Sequence, residues 1–200
     1  MDCSNTNLSI IQASDFDCVG QVAHHCNLPK LCIAINEALE FDIIPLFCYE
    51  FVDDIINNWY IEPGTPDFDK YQKVICGGSY PGCNGKLMRN IGFKKTWIYY
   101  AYSRYVLINS FNDTANGTAR KNDDHTFYTE FKDLKSLSDK YRNMGHEAYA
   151  SVHDFLCSNK SSYLKFDDCN CNKSCGCQGS CKCGKTKKMS GIKLSVLSKK

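Results

Sequence analysis

Six cysteines near the C-terminal end carry the densest chemistry in the chain. From Cys169 the sequence reads CNCNKSCGCQGSCKC, with cysteines at 169, 171, 175, 177, 181 and 183. This is Cys-x-Cys three times over, with a period of six. Two cysteines separated by one residue can chelate a single soft ion. The small spacers Asn172-Lys173-Ser174 and Gln178-Gly179-Ser180 let the backbone fold back on it. Four thiolates complete a tetrahedral zinc shell, and six can share two ions through bridging sulfurs. Lys173, Lys182, Lys185, Lys187 and Lys188 would offset the thiolate charge. Zinc or a similar soft ion is therefore the expected cofactor, with Cys169, Cys171, Cys175, Cys177, Cys181 and Cys183 as its ligands. The competing reading is a flexible arm with idle thiols.

Other groupings carry less. His24-His25-Cys26, with Cys18 and Cys32 nearby, fits no standard metal spacing and reads as a polar turn before a helix. Glu50, Asp53 and Asp54 could act as paired acids, but they fall on what reads as the solvated face of a helix. The loop GGSYPGCNGK, residues 77–86, has the look of a phosphate-binding loop. With Gly85-Lys86 as its Gly-Lys pair, the first glycine would be Tyr80 and the magnesium-binding hydroxyl would be Leu87, so the match fails. The five histidines are scattered; His146 and His153 share one helix, two turns apart, as surface residues. No catalytic or nucleotide-binding set emerges, and a non-enzyme is expected.

Charge divides the chain. Residues 1–158 carry 14 Lys/Arg and 20 Asp/Glu, whereas residues 159–200 carry 10 Lys and 2 Asp. An acidic body thus precedes a basic tail. The tail is either a solvated end or a docking element for an acidic partner or nucleic acid. The first residues have no basic and apolar leader, and no segment reaches the 18 or so apolar residues of a membrane span. Synthesis in a reducing cytoplasm is expected, with the 14 cysteines as thiols or metal ligands rather than a disulfide framework.

The elements follow from pattern. Residues 1–27 read as irregular. A helix from Pro29 puts Cys32, Ile35 and Leu39 on one face, and Ile44-Pro45 is expected to interrupt it. A second helix buries Phe47/Cys48, Phe51/Val52, Ile55 and Trp59. The stretch Phe93 to Phe111 has no proline or glycine and spans about five turns. Its aromatics, Trp97, Tyr99, Tyr100, Tyr102, Tyr105 and Phe111, fall nearly all round, so the helix should be buried on several sides, some of them by neighbouring copies. Residues 113–131 form a long polar arm without helical period. A last helix from about Asp133 carries the stripe Leu134, Leu137, Tyr141, Met144, Ala148, Val152 and Phe155, with Gly145 permitting a close crossing. At the end, Ile192, Leu194 and Val196 alternate as a docking strand. The expected fold is mainly α: a helical domain over 28–158 with its arm at 113–131, after an N-terminal segment 1–27 and before a basic cysteine-rich tail 159–200.

Two resemblances bear on function. The tail spacing resembles metallothionein segments more than zinc fingers, which use Cys-x2-Cys. The body, over roughly 28–157, resembles the head–tail connector (adaptor, or neck) proteins of tailed bacteriophages, in the form found in crAss-like and other Bacteroidota-infecting phages. The matching blocks are Ala38-Leu39-Glu40-Phe41-Asp42 with Pro45-Leu46; Gly77-Gly78-Ser79-Tyr80; Gly92-Phe93-Lys94-Lys95; Tyr99 to Tyr105; Asp113-Thr114 and Gly117; and Tyr141-Arg142-Asn143. That resemblance implies a helical, non-catalytic virion protein, made in the bacterial cytoplasm. It assembles as a homo-oligomeric ring, commonly twelvefold, in the neck between capsid and tail. Its partners would be the portal protein and adjoining tail or neck proteins, with DNA passing through the channel without sequence recognition, and no membrane. The alternative reading is an intracellular metal-binding protein whose function is the tail.

Overall fold

The computed structural model describes residues 10–19, 28–82, 85–114, 117–120 and 130–166, the backbone alone being described at 112–114 and 117–120. The six tail cysteines, His24-His25-Cys26 and the terminal strand lie outside these residues. The fold is mainly α, as expected. Helix α1 spans Leu28–Ala38. A π turn at Leu39–Ile43 leads into α2, Ile44–Phe47. Helices α3 (Tyr49–Asn57) and α4 (Phe68–Ile75) follow. Strands β1 (Gly78–Pro81) and β2 (Leu87–Asn90) pair antiparallel, with Gly78 opposite Asn90. Next come α5 (Phe93–Asn109), strands β3 (Phe111–Thr114) and β4 (Gly117–Arg120), and α6 (Phe131–Ser158).

The centre is α5. It lies along α6 and α1, with α4 and a short 3-10 turn at Ala13–Cys18 also in contact. Burial on several sides is borne out, but the cover is supplied by the chain itself. Trp97 is fully buried, and its indole N–H donates to the Ile35 carbonyl of α1 at 3.0 Å. Tyr102, some 140° further round the helix, is also buried, packed edge-on against Tyr141 of α6 at 4.5 Å and near Phe16 at 6.3 Å. A cluster around Phe47 closes the core: Phe93 and Tyr149 stand at 5.0 and 4.9 Å, with Phe51 and Phe166 beyond.

Four boundaries differ from expectation. The first helix does not stop at Ile44-Pro45. The π turn carries the chain through, the Ile44 N–H reaching back five residues to Leu39 O, just where proline could not continue the α ladder. The break comes at Cys48, whose φ of 63° no helix accommodates. Helix α5 ends at Asn109, because the Ser110 hydroxyl donates to the Val106 and Leu107 carbonyls. The first part of the arm is a hairpin, with Phe111 opposite Arg120 and Thr114 opposite Gly117. Its base is tied to its own protomer through Lys30, which donates to Phe111 O, and by the Phe111–Phe131 ring contact at 5.9 Å. Helix α6 starts at Phe131, with Glu130 rather than Asp133 at its N-cap. Its stripe is buried at Ala148, Val152 and Phe155, half-buried at Leu134, Tyr141 and Met144, and exposed at Leu137. The thiol expectation holds at Cys18, Cys32, Cys76 and Cys157 and not at Cys48, which is disulfide-bonded.

Candidate functional site

The π turn does more than pass a proline. Between the buried residues Leu39 and Ile43 it turns Asp42 inward, leaving its side chain 3% exposed. A carboxylate at that depth is costly unless paired and hydrogen-bonded. Two arginines pair it. Arg104 of α5 donates through Nε to Oδ2 at 2.6 Å, and Arg142 of α6 donates through an Nη to Oδ1 at 3.2 Å. A second Arg104 nitrogen reaches Glu37 of α1 at 3.2 Å, and the Arg104 guanidinium lies 5.6 Å from the Phe41 ring. Burial alone would pull the Arg104 pKa down. The hydrogen bond and charge of Asp42, then those of Glu37, outweigh it and leave the guanidinium above its ordinary value.

The surrounding groups lock α5 to α6. The Tyr100 hydroxyl and His146 Nδ1 are hydrogen-bonded at 2.8 Å. Burial, and then the charge of Asp42, hold the phenol pKa well above the ordinary value, so the hydroxyl keeps its proton. Ser138 donates to the Ser103 carbonyl at 2.9 Å. Gly145 lies against the Tyr100 ring, where a Cβ would come within 3.0 Å of ring carbon, so the close crossing read from Gly145 is present. Below the cluster, Gly77 and Gly92 stand back to back with φ of 78° and 98°; a Cβ on Gly77 would fall 2.4 Å from Asn90 O. Buried Asn90 joins them, donating to Lys73 O at 2.7 Å and accepting from the Gly92 N–H at 2.9 Å. That knot fixes the N-terminal end of α5 against the end of α4.

Chemically, the cluster is a clamp. Both Asp42 oxygens are taken by guanidinium groups, so this carboxylate is not a general base. Glu50 and Asp53 lie on an outer face as expected, but Asp54 does not. It accepts from the Tyr71 hydroxyl at 3.0 Å and from Lys165 at 2.7 Å. They edge an open cleft of about 380 Å³, also lined by Phe51, Lys70 and Tyr163. The 77–86 stretch, rejected as a phosphate loop, supplies the β1–β2 hairpin. Among the described residues no three His, Cys, Asp or Glu side chains gather as a metal site.

Sequence pattern alone does not join Asp42, Arg104 and Arg142, although each lies in a block that carries the connector resemblance. The available signal is charge set among apolar residues: Asp42, two after Glu40, in LEFDIIPLF and Arg104, the lone charge, in YAYSRYV. A protein-family profile described as a family of unknown function, DUF6712, matches residues 43–176, two thirds of the chain. The chain belongs to the DUF6712 family. The DUF6712 match begins at Ile43, the last residue of the π turn, and takes in both arginines. No curated protein and no solved structure matches the chain.

Proposed function

We propose that this protein is a structural virion component: a head–tail connector protomer that forms a ring in the phage neck, joins the portal to the tail and lines part of the DNA channel. The observation that carries this reading is the meeting of three separate blocks of the connector resemblance. Ala38 to Asp42, Tyr99 to Tyr105 and Tyr141-Arg142-Asn143 supply the three members of one ion cluster around the buried Asp42. A fourth and a fifth, at Gly77 and Gly92, form the backbone knot at the other end of α5. Blocks that converge in space make one packed unit, which is what a resemblance of fold requires. A protomer clamped in this way is suited to a ring under mechanical load, since its helices resist sliding past one another.

The test is the mass of the purified full-length protein in solution. A closed ring supports the connector reading. A monomer carrying several metal ions favours the other reading, an intracellular metal-binding protein acting through Cys169 to Cys183, for which the period-six Cys-x-Cys repeat is the specific support.

A further inference from the structure

We propose that the cleft between α3, α4 and the segment after α6 receives an arginine side chain of a partner protein, which enters by displacing the chain's own Lys165. The proposal does not depend on the connector reading. The cleft is open to solvent and holds about 380 Å³, within the range of small-ligand sites. On its α3 side, Asp54 accepts from the Tyr71 hydroxyl of α4 at 3.0 Å and from the Lys165 ammonium at 2.7 Å. The Lys70 ammonium stands near two aromatic rings, 4.9 Å from the Tyr71 centroid and 5.8 Å from that of Tyr163. Both distances lie within cation–π range. Both rings are anchored: Tyr71 on Asp54, and Tyr163 by donating its hydroxyl to Lys70 O at 2.8 Å. The chain thus marks two cation positions with its own ammonium groups, one on a carboxylate and one on aromatic rings.

The local field favours a cation over an anion. The Lys165 pKa lies above its ordinary value: the hydrogen bond to Asp54 comes first, and the charges of Asp54, Asp53 and Glu50 add to it against desolvation. Lys70 has Asp67 at 3.9 Å. Carboxylates therefore outnumber the two ammonium groups. Lysine is also the weaker guest. The Lys165 side chain is 53% exposed, and a surface ion pair of this kind exchanges readily. A guanidinium is planar, grips a carboxylate through two N–H groups and stacks on an aromatic face, which an ammonium does not do. One arginine can make both kinds of contact, because Tyr71 belongs to both positions: its hydroxyl holds Asp54 and its ring lies near Lys70. A free amino acid would bring its own carboxylate to this acidic rim. An arginine within a chain brings none, so a protein partner is the fitting source.

The experiment uses the full-length protein and the capped tripeptide Gly-Arg-Gly, with the same peptide carrying lysine or citrulline at its centre for comparison. Calorimetry should show the arginine peptide binding more tightly than the lysine peptide and than free arginine, with no citrulline binding. Asp54→Asn, which keeps an acceptor for Tyr71, should weaken the arginine peptide more than about tenfold. Lys165→Ala should tighten it about twofold or more, because it removes an exposed competitor and leaves the core untouched. A second readout follows the displaced amine: the arginine peptide should raise the acetylation rate of Lys165 in a saturable way, and the citrulline peptide should not. Equal binding of the arginine peptide and either comparison peptide, an affinity unchanged by Asp54→Asn or not raised by Lys165→Ala, or a Lys165 acetylation rate indifferent to the arginine peptide would each overturn the proposal. Free arginine bound as tightly as the peptide would overturn the assignment to a protein partner.

Discussion

Asp42 is the residue on which the body turns. Removing a partner from a buried ion pair leaves an uncompensated charge, and the cost is about 3–5 kcal/mol. Arg104→Ala should lower the unfolding free energy by that order, since Asp42, 3% exposed, is left with the longer Arg142 contact alone. Arg142 is different: its side chain is 52% exposed, so water compensates it. Arg142→Ala should cost under about 1 kcal/mol. Urea denaturation of the two variants checks the contrast; equal costs would mean that Arg142, not burial of Asp42, holds the site. A second residue-scale prediction concerns alkali. Burial lifts the Tyr163 phenol from the ordinary 10 to about 12, and its hydroxyl donates to Lys70 O at 2.8 Å. A folded pKa raised in this way contributes stability that is fully present below pH 10 and is lost as pH rises to about 12. Stability should therefore fall across that window, and Tyr163→Phe should flatten the fall. Much at this scale is not legible in the sequence. Asp42 and Arg142 are 100 residues apart, and a one-dimensional pattern registers a charge without naming its partner. Likewise the histidine spacing sets His153 beside His146, two turns away, whereas its nearer neighbour is Cys157, whose Sγ is 3.7 Å from Nδ1.

At the scale of elements, the long uninterrupted helices are legible and the irregular joints are not. Helices α5 and α6 stand out because nothing breaks them, and a stripe or a fully apolar wrap sets how each is buried. The π turn escapes a sequence reading because the proline rule concerns an α ladder, and one wider turn removes the conflict. The β3–β4 hairpin escapes it because Asn112-Asp113-Thr114 and Thr118-Ala119-Arg120 show no apolar alternation. Cover by neighbouring copies is the expectation for α5 if a short chain cannot surround it, yet α1, α4 and α6 do so. Two expectations follow. Trp97→Ala and Tyr102→Ala should both destabilise the isolated chain, by about 3–5 kcal/mol for a large buried aromatic, and neither should act as an assembly mutant alone. Gly145→Ala gains about 1 kcal/mol of helix propensity but presses on a Tyr100 ring that His146 and the core hold still. Overpacking of that kind costs about 1–3 kcal/mol. The net change should be destabilising, and thermal melts of Gly145→Ala against wild type read it directly; a raised melting temperature would show that Tyr100 can yield.

At the scale of the whole molecule, a clamped helical body carries a basic cysteine-rich tail. We propose that this body is a ring protomer seated on a portal. The most direct measurement is electron microscopy of the purified full-length protein mixed with its cognate portal protein. The expected result is class averages in which a closed ring of this chain stacks coaxially on the portal. Bare portals beside dispersed monomers would contradict it.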